Sequence, residues 1–109
     1  MYIQELEQWI DEQKPNIETA LQEFVNLNTF TANKAGVDAG MDELSTLAQS
    51  MGFTVEAVNK QHRLIKVVNG VDKPRILLIS HMDTVFPPDG EFLVYENLDD
   101  GFVQGPGVG

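Results

Sequence analysis

Four consecutive aliphatic residues, Ile76 to Ile79, set the strongest limit on the fold of this chain. A run of this kind, without alternating polar residues, predicts a strand that is buried on both faces, as in the centre of an α/β sheet. We therefore expect residues 75–80 to form a central strand. Such a strand needs neighbouring strands on its edges and helices on its faces.

The residues before this run carry helical periodicity. Apolar residues recur at helical spacing over residues 2–13, 16–27 and 37–51, which predicts three helices. Pro15 either ends the first helix or serves as the first residue of the second. Gly52 is the expected residue just beyond the end of the third helix.

After Gly52 the period changes to that of strands. Alternation over residues 53–58 predicts one strand, residues 64–68 predict a second, and the polar turn between them contains a solvated His62. With the helices and residues 75–80, these strands predict an α/β fold with N-terminal helices packed on a small mixed sheet.

A hairpin is predicted near the end of the sequence. Residues 92–95 and 102–104 flank Asp100-Gly101, a pair that is typical of tight turns. Residues 105–109 contain three glycines and a proline and predict a loop that packs against nothing.

Composition excludes several classes of function. The chain has 109 residues, enough for one small domain, and its 17 acidic and 7 basic residues give a formal net charge of −10. That charge repels nucleic acid and anionic membranes, so neither is expected as a partner. Without cysteine, any metal site must use His, Asp and Glu. The sequence shows no signal peptide and no membrane-spanning run, and we expect a cytoplasmic protein.

His81 and Asp83 are the candidate site residues, because they directly follow the predicted central strand. Ligands gather outside the carboxyl ends of strands in open α/β sheets. In an extended chain, residues two apart point to the same side, and Met82 would point away. A metal-ligating imidazole with its supporting carboxylate fits this pattern, and so does a hydrogen-bonded structural histidine.

Two segments carry a resemblance to a known family. Residues 77–87, Leu-Leu-Ile-Ser-His-Met-Asp-Thr-Val-Phe-Pro, resemble the first signature of the co-catalytic di-zinc metallopeptidases. That family includes glutamate carboxypeptidases, aminoacylases and succinyl-diaminopimelate desuccinylases. Residues 105–109, Gly-Pro-Gly-Val-Gly, resemble the first five positions of its second signature, Gly-x-Gly-x-x-Asp. The resemblance is closest to the glutamate carboxypeptidase branch and departs from the pattern at Ser80, where glycine is common.

The resemblance implies a role for each candidate residue. His81 would be a ligand of one zinc ion, and Asp83 would be the active-site acid that holds its imidazole. The intact family enzyme uses two zinc ions, a bridging water and a glutamate base. It hydrolyses a peptide or N-acyl bond next to a C-terminal amino acid, such as glutamate. A homodimer is compatible with that family.

In the family, the remaining ligands, the glutamate base and the lid and dimerisation domain follow the position of Gly109. We therefore expect residues 1–109 to be the N-terminal fragment of a catalytic domain, without the lid and dimerisation domain and the C-terminal part. Such a fragment would bind zinc weakly or not at all and would be inactive. Two alternatives stay open: a small complete α+β domain with a frayed tail, and a non-catalytic α/β module that binds a protein partner through an exposed sheet edge.

Overall fold

The structure, a computed structural model, describes residues 2–67 and 72–108. Within these residues it contains two helices followed by two antiparallel hairpins, which make a small mixed α/β fold. The elements are α1 (Ile3–Asn26), α2 (Lys34–Ser50), β1 (Thr54–Asn59), β2 (His62–Lys66), β3 (Glu96–Asn97) and β4 (Val103–Gln104). Since β1 pairs only with β2, and β3 only with β4, the predicted single mixed sheet is wrong for the described residues.

Helix α1 is one continuous helix that runs through Pro15. A proline ring removes one helical hydrogen bond and crowds the preceding turn, so the sequence favoured a boundary there. One side-chain pair at helical spacing lies before the proline, and another spans it. Lys14 Nζ lies 2.6 Å from Asp11 Oδ1, and Asn16 donates to Gln13 over 3.1 Å. The predicted division into two helices is therefore wrong.

Helix α2 has a side-chain cap at its start and a glycine turn at its end. The Asn33 side chain accepts a hydrogen bond from the Gly36 N–H at 3.1 Å, so the helix begins three residues before the predicted start at residue 37. At the other end Gly52 has φ +84°, donates to Gln49 O, and is followed by Phe53, which donates to Ala48 O. This is a Schellman motif, and the prediction for Gly52 is confirmed.

The β1–β2 hairpin packs against α2 through Arg63. Only 9% of the Arg63 side chain is exposed, and its guanidinium contacts Asp42 at 3.0 Å and Ser45 at 3.1 Å. Strand β2 begins at His62, so His62 and Arg63 lie in a strand and not in the predicted turn. Val68, the last residue of the predicted strand, lies outside the described residues.

The second hairpin forms around Asp100-Gly101, as predicted, but its first strand is Glu96–Asn97 and not residues 92–95. The shift has a local cause at Tyr95. The Tyr95 N–H donates to Asn26 Oδ1 at 2.9 Å, and the Tyr95 hydroxyl lies 3.1 Å from Glu18 Oε1. The backbone N–H and the hydroxyl of Tyr95 therefore both contact α1, and the N–H is not available to a strand partner.

The core is small and lies around α2 and the C-terminal end of α1. Its buried apolar members among the described residues are Val25, Val37, Met41, Ala48 and Tyr95. The N-terminal half of α1 stands outside this core, because Trp9 is 50% exposed and Ile3 is 76% exposed. None of the described helices is long and apolar enough to cross a membrane.

The run Ile76–Ile79 is the largest departure from the sequence-based prediction. The structure assigns no strand to residues 75–80, and the four side chains are 72–88% exposed. Both hairpins pair internally, and no strand within residues 2–67 and 72–108 is left to pair with this run. The predicted central, doubly buried strand is therefore wrong here, because an apolar run forms a buried strand only where partner strands flank it.

Candidate functional site

The candidate site lies where the loop between α1 and α2 meets the segment that carries His81 and Asp83. Thr84 N–H donates to Thr29 O at 2.8 Å, and Thr31 N–H donates to Thr84 O at 3.0 Å. These two bonds form an isolated parallel bridge between Phe30 and Thr84. The bridge fixes the backbone directly after Asp83 relative to the loop between the two helices.

Asn28 ties the same loop to the start of α2. Its amide donates to Phe86 O at 3.1 Å, and its side-chain oxygen accepts from Asn33 Nδ2 at 3.0 Å. Asn33 is also the cap of α2, so the site loop and the helix start share one hydrogen-bond network. A side chain at Gly36 would overlap the Asn28 carbonyl oxygen, which explains a glycine in the first turn of α2.

Met82 packs inward between the two candidate residues. A Cβ built at Gly40 of α2 would lie 3.2 Å from Met82 Cγ and 3.3 Å from Met82 Sδ. Gly40 thus lets the methionine side chain approach the helix closely. The His81 and Asp83 side chains contact each other, as their two-residue spacing predicts.

The imidazole of His81 is held by Asp83 and open to solvent. His81 Nδ1 lies 2.9 Å from Asp83 O and 3.2 Å from Asp83 Oδ1, while 84% of the His81 side chain is exposed. Because both neighbours of Nδ1 are acceptors, Nδ1 carries the proton, and neutral His81 keeps its lone pair on Nε2. Among the described residues, no group hydrogen-bonds Nε2.

Thr31 completes this arrangement from the α1–α2 loop. Its hydroxyl donates to Asp83 Oδ2 at 2.6 Å, so each carboxylate oxygen has its own partner. The Thr31 hydrogen bond holds the pKa of Asp83 below its ordinary value of 3.8; partial burial opposes this, and His81 adds to the lowering. Sequence reasoning did not find Thr31, because a contact across 52 positions leaves no local signal.

The two segments that carry the family resemblance lie next to each other. A Cβ at Gly107 would lie 3.5 Å from Thr84 Cγ2, which belongs to the residue directly after Asp83. Gly105 is buried, and a Cβ there would lie 2.5 Å from Val25 Cγ1 in α1. The expectation that this glycine-rich segment packs against nothing is therefore wrong, since its lack of side chains is what lets it approach α1.

His62, Asp99 and Asp100 form no hydrogen bond to this site among the described residues. His62 Nδ1 lies 2.7 Å from Asn59 Oδ1, at the side of an open groove that Lys34, Asp38 and Lys60 also line. Asp99 and Asp100 occupy the turn between β3 and β4, where aspartate is a common residue.

The donor set fits one metal ligand, not a complete coordination sphere. Nε2 of His81 is a free imidazole donor, and the Asp83 carboxylate is already engaged with His81 and Thr31. Within residues 2–67 and 72–108, no three His, Asp or Glu side chains converge as a metal site would require. Zinc sites use three or four protein ligands, so His81 alone would not complete one.

No protein family, curated protein or solved structure compared with this chain matches it.

Proposed function

We propose that this chain supplies His81 as one zinc ligand and Asp83 as the acid that orients it, in a metallopeptidase or amidohydrolase. The reaction is hydrolysis of a peptide or N-acyl bond next to a C-terminal amino acid, as in the glutamate carboxypeptidases that residues 77–87 resemble. One observation carries the proposal. The exposed His81 ring places Nδ1 against two oxygens of Asp83, which leaves Nε2 without a hydrogen-bond partner among the described residues.

The chemistry follows from these roles. Zinc would supply Lewis acidity and an activated water. Asp83 fixes the tautomer and the orientation of the His81 ring, as carboxylates do behind metal-ligating histidines. The approach of Gly107 to Thr84 supports the proposal independently, because it brings the second resembling segment to the first. The further ligands and the base that hydrolysis needs are not among the described residues, so we expect the 109-residue chain itself to be inactive.

Zinc titration followed by imidazole ¹⁵N NMR tests the proposal. We expect weak binding that shifts His81 Nε2 first and is lost in His81→Ala. His62→Ala is the matched control, because His62 is also exposed and has Nδ1 on an acceptor. The His62 acceptor is a neutral amide, and two lysines line its groove, so zinc should prefer His81.

Two results would contradict the proposal. One is a zinc-induced shift at His62 that equals or exceeds the shift at His81. The other is an unchanged zinc affinity in His81→Ala. Hydrolysis of an N-acyl glutamate by the 109-residue chain would contradict the narrower expectation that these residues are insufficient for activity.

A second function is favoured by the exposed run Ile76–Ile79. These four aliphatic side chains are 72–88% exposed along a segment that forms no strand in the structure. An unpaired segment with apolar side chains can add as a strand to another protein's sheet, so a non-catalytic binding module is the alternative. Sedimentation over a concentration series tests it. Association that Leu78→Lys removes, without any zinc response at His81, would favour the module.

A further inference from the structure

Thr31 touches the candidate site from a distant part of the sequence. Its Oγ1 lies 2.6 Å from Asp83 Oδ2 and 3.2 Å from Thr84 O. One hydroxyl proton has two acceptors here, and the shorter contact is to the charged carboxylate. The proton therefore points at Asp83, since charge-assisted O–H···O⁻ bonds are the shorter and stronger kind.

The position of Thr31 is determined by the backbone as well as by its side chain. Thr31 N–H donates to Thr84 O at 3.0 Å, and Thr84 N–H donates to Thr29 O at 2.8 Å. These two bonds fix the Cα of Thr31 relative to the residue after Asp83. A β-branched side chain has restricted χ1, so a fixed backbone also fixes where the hydroxyl lies.

The two oxygens of Asp83 are thus assigned to different partners. Oδ2 accepts from Thr31, and Oδ1 lies 3.2 Å from His81 Nδ1, which also lies 2.9 Å from the backbone carbonyl oxygen of Asp83. A carboxylate held at only one oxygen can rotate about its Cβ–Cγ bond, because this terminal torsion is broad. The second contact removes that freedom and keeps Oδ1 directed at the imidazole.

We propose that Thr31 is a positioning residue for His81, acting through Asp83 to keep the imidazole in the Nδ1–H tautomer with Nε2 free for a metal. The metal-binding role of this arrangement rests on the proposed function of His81. The positioning of the imidazole is inferred from the Thr31–Asp83–His81 contacts alone. A threonine with a structural role only would stabilise the loop without changing the state of the histidine ring.

The test compares Thr31→Val with Thr31→Ser. Valine keeps the shape and removes the hydroxyl, whereas serine keeps the hydroxyl. Long-range ¹H–¹⁵N spectra at neutral pH report the His81 tautomer, and zinc titration reports the affinity of Nε2. We expect Thr31→Val to lower the Nδ1–H fraction and weaken zinc binding at His81 by up to about tenfold, the lower end for supporting partners of metal-ligating histidines. Thr31→Ser should restore both.

Two control variants make the result specific. Thr46→Val removes an exposed hydroxyl that bonds the Asp42 carbonyl within α2, and it should change neither readout. Asp83→Asn removes the carboxylate itself and should change both readouts more than Thr31→Val does.

The outcomes separate the two proposals. An unchanged tautomer in Thr31→Val, with a changed one in Asp83→Asn, overturns the role of Thr31 and leaves that of His81 intact. If serine fails to restore the tautomer, the effect belongs to side-chain packing and the proposal is also overturned. A third outcome is that Thr31→Val changes the His81 tautomer but zinc does not bind His81 in the unmodified chain. The positioning role of Thr31 is then supported, and the proposed metal function is overturned.

Discussion

At the scale of residues, Asp83 is the best-connected side chain of the candidate site. Thr31 and His81 each bond one of its carboxylate oxygens. Hydrogen bonds that favour the ionised form lower a carboxyl pKa, and the Thr31 bond is the largest influence on Asp83. The ionised form of Asp83 is therefore the one that the fold selects.

This selection predicts a dependence of stability on pH. Because the pKa of Asp83 in the folded chain lies below the ordinary 3.8, the unfolded chain binds the proton more readily. The contribution of Asp83 is present above the unfolded value and is lost as the pH falls through the lowered folded value. Carboxyl ¹³C NMR should find Asp83 titrating below 3.8 in the folded chain. A midpoint at or above that value would contradict the assignment of its two partners.

Sequence reasoning placed His81 and Asp83 on one side and Met82 on the other, because the two-residue period of an extended chain needs no tertiary information. Sequence reasoning did not identify Thr31, because its hydrogen bond to Asp83 forms only when the α1–α2 loop contacts residues 83–84 in the folded chain. The contact of Gly105 with Val25 was missed for the same reason, as a glycine shows close approach only when its neighbour is known.

At the scale of elements, helix α1 is the most instructive case. Apolar periodicity predicted helix on both sides of Pro15 and could not tell whether the two segments join. The structure joins them, and the N-terminal half projects with an exposed apolar stripe that includes Trp9. Periodicity reports which face of a helix is apolar, but burial depends on what packs there.

The continuous helix predicts a gain of local stability in Pro15→Ala. Inside a helix, proline is about 3 kcal/mol less favourable than alanine, and part of that gain is offset by a less restricted unfolded chain. Amide hydrogen exchange over residues 3–14 should therefore slow by an amount equivalent to about 1–3 kcal/mol. Global unfolding should change less, because residues 2–12 are exposed.

Gln22→Ala is the control for this experiment, since Gln22 is an exposed residue of the same helix and lies seven positions beyond Pro15. Its exchange pattern over residues 3–14 should stay within the error of the unmodified chain. If Pro15 instead began a separate helix, proline would be favourable there and Pro15→Ala would leave exchange unchanged or make it faster.

At the scale of the whole molecule, the chain is expanded for its length. Its radius of gyration is 16.1 Å, whereas a compact chain of about this length has roughly 13 Å. The small core around α2 and the exposed Ile76–Ile79 run agree with this expansion. The prediction of a central strand failed for a related reason. The sequence shows that the run is apolar, but whether it is buried depends on the strands and helices that pack around it in the folded chain.

Exposure predicts opposite outcomes for two apolar substitutions. Leu78 is 88% exposed, so Leu78→Lys should change the free energy of unfolding by no more than about 0.5 kcal/mol. Met41 is 9% exposed in the core, so Met41→Ala should cost about 2–5 kcal/mol. Urea titration followed by circular dichroism measures both. A loss of more than 1.5 kcal/mol in Leu78→Lys, about what full burial of a leucine is worth, would mean that the run is buried.

The bridge between Phe30 and Thr84 couples the two parts of the molecule that matter for function. The entropy of bringing the α1–α2 loop to the candidate site is lost during folding, so a metal that bound His81 would find the imidazole already oriented. The coupling also acts in reverse. A cation bound at Nε2 would resist separation of the loop from Thr84, and transient opening there would release the cation before the rest of the chain unfolds.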